Sequence, residues 1–211
     1  WIQFPKTPQE VPIFINHAHY VRWVEEQLRL GNMHNERHLW TSVRPNGPQR
    51  PHALNRLELR ICDLVVNVDL LLAITALLEL RIINLKNNPK NYDPIEASSK
   101  DYTELGFLSD QNDIQVAKHS LDANLFHWKN GNLIKCRDWI REIISDVTPL
   151  AKELEMLDLL QPIESVLLNG NQAMSWLDFY SKGVSIQTLL QRGITEMERE
   201  EADFIQMKSI Y

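Results

Sequence analysis

Hydrophobic and aromatic positions recur at helical spacing from Ile13 to Leu30, through Phe14, Ile15, Tyr20, Val21, Trp23, Val24 and Leu28, and Gly31 follows as a stop. This predicts an amphipathic helix. The period then changes to two, with Leu39, Thr41 and Val43 alternating against Trp40, Ser42 and Arg44, as expected of a strand. Pro45, Gly47, Pro48 and Pro51 oppose regular structure until about Ala53. A second alternation sets Leu57, Leu59 and Ile61 against Arg56, Glu58, Arg60 and Cys62, so the leucine face is expected on a core. The two runs predict an antiparallel strand pair over about 38–63.

After Asp63 the chain reads as helical. Leu70, Leu71, Leu72, Ile74, Leu77, Leu78, Leu80, Ile82 and Ile83 surround much of a helix ending before Asn87-Asn88-Pro89, which predicts cover on more than one side. Asn91 to Leu108 reads as a long loop with short helical turns, because Pro94, Ser98, Ser99 and Gly106 interrupt it. Helical patterns resume at about 110–128, 137–157, 162–168, 173–182 and 185–206, with Asn130-Gly131-Asn132 and Lys182-Gly183 as punctuation. Pro149 is expected to kink or divide the second of these. The fold class is therefore α+β, a small strand element with a mainly helical remainder in one domain over residues 1–211.

Composition narrows the partners. In 211 residues, 28 carboxylates outnumber 22 Lys and Arg for a net charge of −6, so no global positive field recruits nucleic acid or an anionic membrane. The most apolar window, Val65 to Leu85, contains Asn67, Asp69, Glu79, Arg81 and Asn84 and reads as a buried helix rather than a membrane span. The opening Trp1-Ile2-Gln3-Phe4-Pro5 has neither an initiator methionine nor the pattern of a signal peptide, and a cropped or processed piece is one expectation. Two cysteines cannot build a disulfide framework, which favours a cytosolic address. The acidic run Glu196, Glu198, Glu200, Glu201 and Asp203 is expected on a solvated helix face.

One stretch departs from this composition. Glu36–Arg60 carries five arginines (Arg37, Arg44, Arg50, Arg56, Arg60), no lysine and two carboxylates, a local positive excess inside an acidic chain. Arginine keeps its charge when partly buried and pairs two-pronged with carboxylate or phosphate oxygens. Alternation puts Arg56, Glu58 and Arg60 on one face, and aligned pairing adds Trp40, Ser42 and Arg44. Such a face suits an acid that holds a divalent cation against phosphates while arginines neutralise phosphoryl charge. An ordinary cross-strand ion-pair ladder has the same pattern.

Other constellations are weaker. His34 and His38 stand at i, i+4 without an HExxH pattern or helical periodicity. His17, His19, His119 and His127 lie on helical patterns and read as surface or core residues. Neither GxxxxGK[ST] nor GxGxxG occurs, which excludes the common phosphate loops. Cys136, beside Lys135 and Arg137, reads as an inert thiol.

The segment Leu39-Trp40-Thr41-Ser42-Val43-Arg44-Pro45, followed by Arg56-Leu57-Glu58-Leu59-Arg60-Ile61-Cys62-Asp63, resembles the bacterial, particularly cyanobacterial-type, glutamate–cysteine ligases and related carboxylate–amine ligases. Val11-Pro12 and Trp23-Val24-Glu25 add to the likeness, and Asp122–Gly131 looks like the family's later helix and turn. The resemblance implies that the chain corresponds to roughly the C-terminal half of such a ligase. The resemblance implies a glutamine-synthetase-like fold and an ATP- and Mg2+-dependent joining of glutamate to cysteine through an acyl phosphate. It gives Arg60 and Arg44 the anion-clamping roles, Arg56 and Trp40 the nucleotide side, and Glu58 the metal or substrate side. Asp63 would close the motif or cap the following helix. The family's early metal-binding glutamates have no counterpart before Glu36, and the loop Asn46–His52 is longer and richer in proline than the family's. The other function class is a non-catalytic helical module whose arginine strand binds an acidic partner.

Overall fold

Asn16 opens the first helix, α1 (His17–Arg29), by accepting the His19 N–H at 2.9 Å on its side-chain oxygen. The expected helix thus begins later than Ile13. Phe14 stays ahead of it and packs edge-on against Tyr20 and Trp23, with ring centroids at 5.1 and 5.5 Å. Gly31, at φ 73°, ends it as expected. The computed structural model describes residues 8, 11–12, 14–36, 39, 43–46, 56–59 and 65–208, with backbone alone at 43–46, 56, 57, 204, 207 and 208. It forms two units, Trp1–Leu64 and Val65–Tyr211. In the first, Tyr20, Val24, Met33 and Leu39 make the core.

The strand pair is present. β1 (Val43–Asn46) runs antiparallel to β2 (Arg56–Leu59), with Val43 opposite Leu59, Arg44 opposite Glu58, Pro45 opposite Leu57 and Asn46 opposite Arg56. Two expectations need correction. Pro45 lies within a strand instead of ending it, which an edge strand tolerates because one side of its backbone needs no ladder partner. Leu59, expected on a core, is exposed.

In the second unit, Asn67 caps α2 (Val68–Asn87) by accepting the Leu70 N–H at 2.8 Å. Capping therefore falls to Asn67, and Asp63 lies outside the described residues. Ala73, Ala76 and Leu80 are buried, but Leu71, Leu72 and Ile82 are about half exposed. Cover on several sides is thus not what α2 has within this unit. Its packing partners share the alanine stripe, where short side chains let helices approach closely.

The expected loop after Asn91 is largely helical. Prolines start the single turns α3 (Pro89–Tyr92) and α4 (Pro94–Ala97). A capping box then starts α5 (Tyr102–His119): Asp101 accepts the Glu104 N–H, and Glu104 accepts the Asp101 N–H. That bond, and then Lys100, hold the Glu104 carboxyl below the usual range. Gly106 is accommodated inside the helix.

The helix expected over 110–128 stops at His119, and the following segment is not a helix but a 3-10 turn, Ser120–Asp122, and a second hairpin. β3 (Asn124–Phe126) pairs antiparallel with β4 (Leu133–Lys135), and Gly131, at φ 72°, closes the turn by donating to the His127 carbonyl at 2.7 Å. From β4 the chain passes directly into α6 (Cys136–Glu153), which Pro149 does not divide. A 3-10 turn (Leu157–Leu160), α7 (Gln161–Asn169), α8 (Gln172–Ser181) and α9 (Ile186–Lys208) complete the unit.

The core joins α2 to Val147 and Ala151 of α6, Leu160, and Ile163 and Leu167 of α7, with Leu121, Ala123 and, from β3, Leu125. Burial of each large aliphatic side chain contributes about 1.5–3 kcal/mol. On α9 the acidic run is exposed as expected except at Glu200, which is partly buried and accepts from Asn67 at 3.2 Å.

Ser120 is held at φ 50°, ψ −129°, a region that favours glycine, while its hydroxyl accepts from Asn171 at 2.8 Å. Ser120→Gly relieves the backbone and loses the bond, whereas Ser120→Ala keeps the strain and loses the bond. Urea denaturation is expected to rank Ser120→Gly above Ser120→Ala by about 1 kcal/mol. The reverse order would show that the strain carries no cost.

Candidate functional site

Antiparallel pairing places directly opposite residues on the same face. The register therefore brings positions Arg44 and Glu58 together, with Arg56 opposite Asn46 on that face. Two arginine positions and one acidic position share one side of a short two-stranded ribbon. Glu58 is partly buried. Trp40 and Arg60, the other residues expected here, lie outside the described residues, as do Arg37, Arg50, His38 and Cys62.

The second unit contains a polar cavity of about 60 Å³ that the sequence reading did not anticipate. Arg81 of α2 lies over the Tyr92 ring, its guanidinium carbon 4.4 Å from the centroid. The Tyr92 hydroxyl accepts from Asn84 at 2.9 Å and donates to Asp146 at 3.2 Å. This chain of contacts holds guanidinium and carboxylate near one another without joining them: Arg81 Nη1 is 3.7 Å from Asp146 and, buried, has no hydrogen-bond partner. Across the cavity, His127 Nε2 is 3.7 Å from Glu142, and the imidazole lies 5.0 Å from the Trp139 ring. The exposed Lys129 ammonium hangs 5.7 Å from Tyr92 and 5.5 Å from Trp128.

The hairpin carries His127, Trp128 and Lys129 to this place. Asn112 of α5 clamps the open edge of β3, donating to the Phe126 carbonyl at 2.9 Å and accepting its N–H at 2.7 Å. Ser98 donates to the Trp128 carbonyl at 2.6 Å, and the Ser99 N–H to that of Lys129 at 2.7 Å. A sequence signal for this arrangement existed: Asn-Gly at 130–131 is a strong hairpin cue, and the spacing of Trp139, Glu142 and Asp146 sets them along one side of α6.

Among the described residues no three His, Cys, Asp or Glu side chains converge as a metal site, and His34 lies outside any helix. His119 is exposed, whereas His127 belongs to the hairpin rather than to a helix. No described helix is long and apolar enough to cross a membrane.

A family model described as glutamate-cysteine ligase family 2 matches residues 1–204. The chain is similar to proteins named "Putative glutamate--cysteine ligase 2". It is 22% identical to that of Sorangium cellulosum over 89% of this chain and 47% of the relative. The figures are 23%, 82% and 44% for Gloeobacter violaceus, a cyanobacterium, and 26%, 77% and 42% for Mycobacterium tuberculosis strain H37Rv. The chain spans less than half the length of these relatives.

Cys136 is buried, and desolvation pushes its thiol up despite Arg137 nearby. Native protein treated with iodoacetamide at neutral pH is expected to leave Cys136 unmodified, with alkylation only after unfolding. Peptide mass mapping checks this separately from Cys62, and rapid native alkylation would contradict the burial.

Proposed function

The chain belongs to glutamate–cysteine ligase family 2, and from that premise we propose that it forms part of an ATP-dependent ligase that joins the γ-carboxylate of glutamate to the amine of cysteine. The pairing of Arg44 with Glu58, with Arg56 on the same face, carries this reading. In the proposed reaction the glutamate γ-carboxylate takes the terminal phosphoryl group, leaving ADP. The cysteine amine then attacks the acyl carbon, loses a proton, and displaces phosphate. The chemistry demands charge stabilisation and positioning more than acid–base exchange.

The residue types fit that demand. Arg44 and Arg60 clamp anionic oxygens, Arg56 and Trp40 face the nucleotide, and Glu58 supplies carboxylate oxygen to Mg2+ or orients substrate. Bound Mg2+ and ATP supply the charge neutralisation and the phosphoryl group. One carboxylate position is too few for a metal site, so in this reading the other ligands come from beyond the described residues, on a glutamine-synthetase-like sheet that β1 and β2 extend. A cytoplasmic address suits a substrate thiol that must stay reduced.

The test is ADP release by the full-length protein with Mg2+ and glutamate, comparing cysteine with other amines. Cysteine-dependent release supports the reading. Absence of release with every amine favours the ion-pair ladder or an acidic-partner module. Arg60→Lys, which keeps charge but loses the two-pronged fork, is expected to lower kcat about tenfold or more with little change in thermal stability. Unchanged turnover would make Arg60 structural.

A further inference from the structure

The cavity between α2, the β3–β4 hairpin and α6 is lined by groups that stand within ion-pair distance of one another yet form no hydrogen bond across each pair. Arg81 Nη1 and Asp146 stand 3.7 Å apart, as do His127 Nε2 and Glu142, beyond hydrogen-bond distance in each pair. Buried Nη1 has no acceptor, a costly state unless something supplies one. Lys129, at the exposed rim, adds a second cation.

We propose that this cavity binds a small zwitterion, the ammonium-and-carboxylate head of an α-amino acid. Its carboxylate accepts from the Arg81 guanidinium and from Lys129, while its ammonium donates to Asp146 and Glu142. Two cations, Arg81 and Lys129, and two carboxylates line the cavity, so a lone anion meets two negative groups and a lone cation meets two positive ones. A ligand carrying both charges engages all four. Tyr92 keeps the fixed charges apart, through the ring beneath Arg81 and the hydroxyl on Asp146. The cavity, about 60 Å³, accepts the head of the ligand, and any larger side chain must project past the exposed Lys129 and Glu142. None of these residues belongs to the β1–β2 face, and the proposal stands apart from the ligase reading.

Glycine is the probe, because it presents the zwitterion with no side chain. Its titration into the full chain is followed by the indole N–H resonances of Trp128 and Trp139, assigned with Trp→Phe variants. Saturable shifts are expected with glycine at millimolar concentration, and not with acetate or methylammonium alone. Lys129→Met and Asp146→Asn, both at partly or fully exposed positions, are each expected to weaken glycine about tenfold. Glu58→Gln is expected to leave it unchanged, which separates this site from the strand pair. No saturable shift overturns the proposal. An equal response to acetate overturns it in favour of a simple anion site, and glycine shifts that survive both cavity substitutions place the binding elsewhere.

Discussion

The side-chain amide of Asn112 does for the edge of β3 what a third strand would do. A two-stranded hairpin is marginal alone, because each strand leaves one row of backbone groups unpaired. Asn112 donates to the carbonyl of Phe126 and accepts its N–H, at 2.9 and 2.7 Å. With that edge pinned, and with Ser98 and Ser99 holding the carbonyls of the turn, His127, Trp128 and Lys129 occupy fixed positions. Because β4 runs directly into α6, the same constraint sets where α6 begins and which way Trp139, Glu142 and Asp146 face. The hairpin side of the polar cavity rests on that clamp, while Arg81 and Tyr92 supply the other side.

The two polar assemblies are built differently. Across β1 and β2, register alone puts Arg44 beside Glu58, because opposing positions of an antiparallel pair share a face. In the second unit the charged groups come from elements far apart in sequence, and an aromatic ring and a tyrosine hydroxyl keep them separated. The ribbon sets arginine and acid positions in a row; the cavity holds Arg81 and Asp146 at 3.7 Å, too far for a hydrogen bond between them.

Local pattern was readable where a single periodicity ran through an element. The amphipathic α1 with Gly31 at its end, the antiparallel pair around Arg44 and Glu58, the long apolar α2 and the later helices all follow from spacing in the chain. Reading failed where two signals overlapped. Asp101 and Glu104 form a capping box, yet Gly106 and the prolines before it made that stretch look like a loop. The apolar spacing of residues 110–128 continued past His119, while a strained serine and the Asn130-Gly131 turn redirected the chain into a hairpin. Exposed Leu59, Leu71, Leu72 and Ile82 show the limit of inferring burial from hydrophobicity, since an apolar residue is buried only where another element arrives to cover it.

By itself the sequence determined the helix-rich α+β class, the alternation that puts arginines and an acid on one strand face, and the family likeness carried by those motifs. These are properties of neighbours along the chain, governed by backbone period and side-chain type. Tertiary structure decided which apolar faces are covered and how the hairpin is pinned. It also decided that Arg81, Lys129, Glu142 and Asp146 surround one space. Convergence of that kind depends on elements meeting in three dimensions, and no local period encodes the meeting.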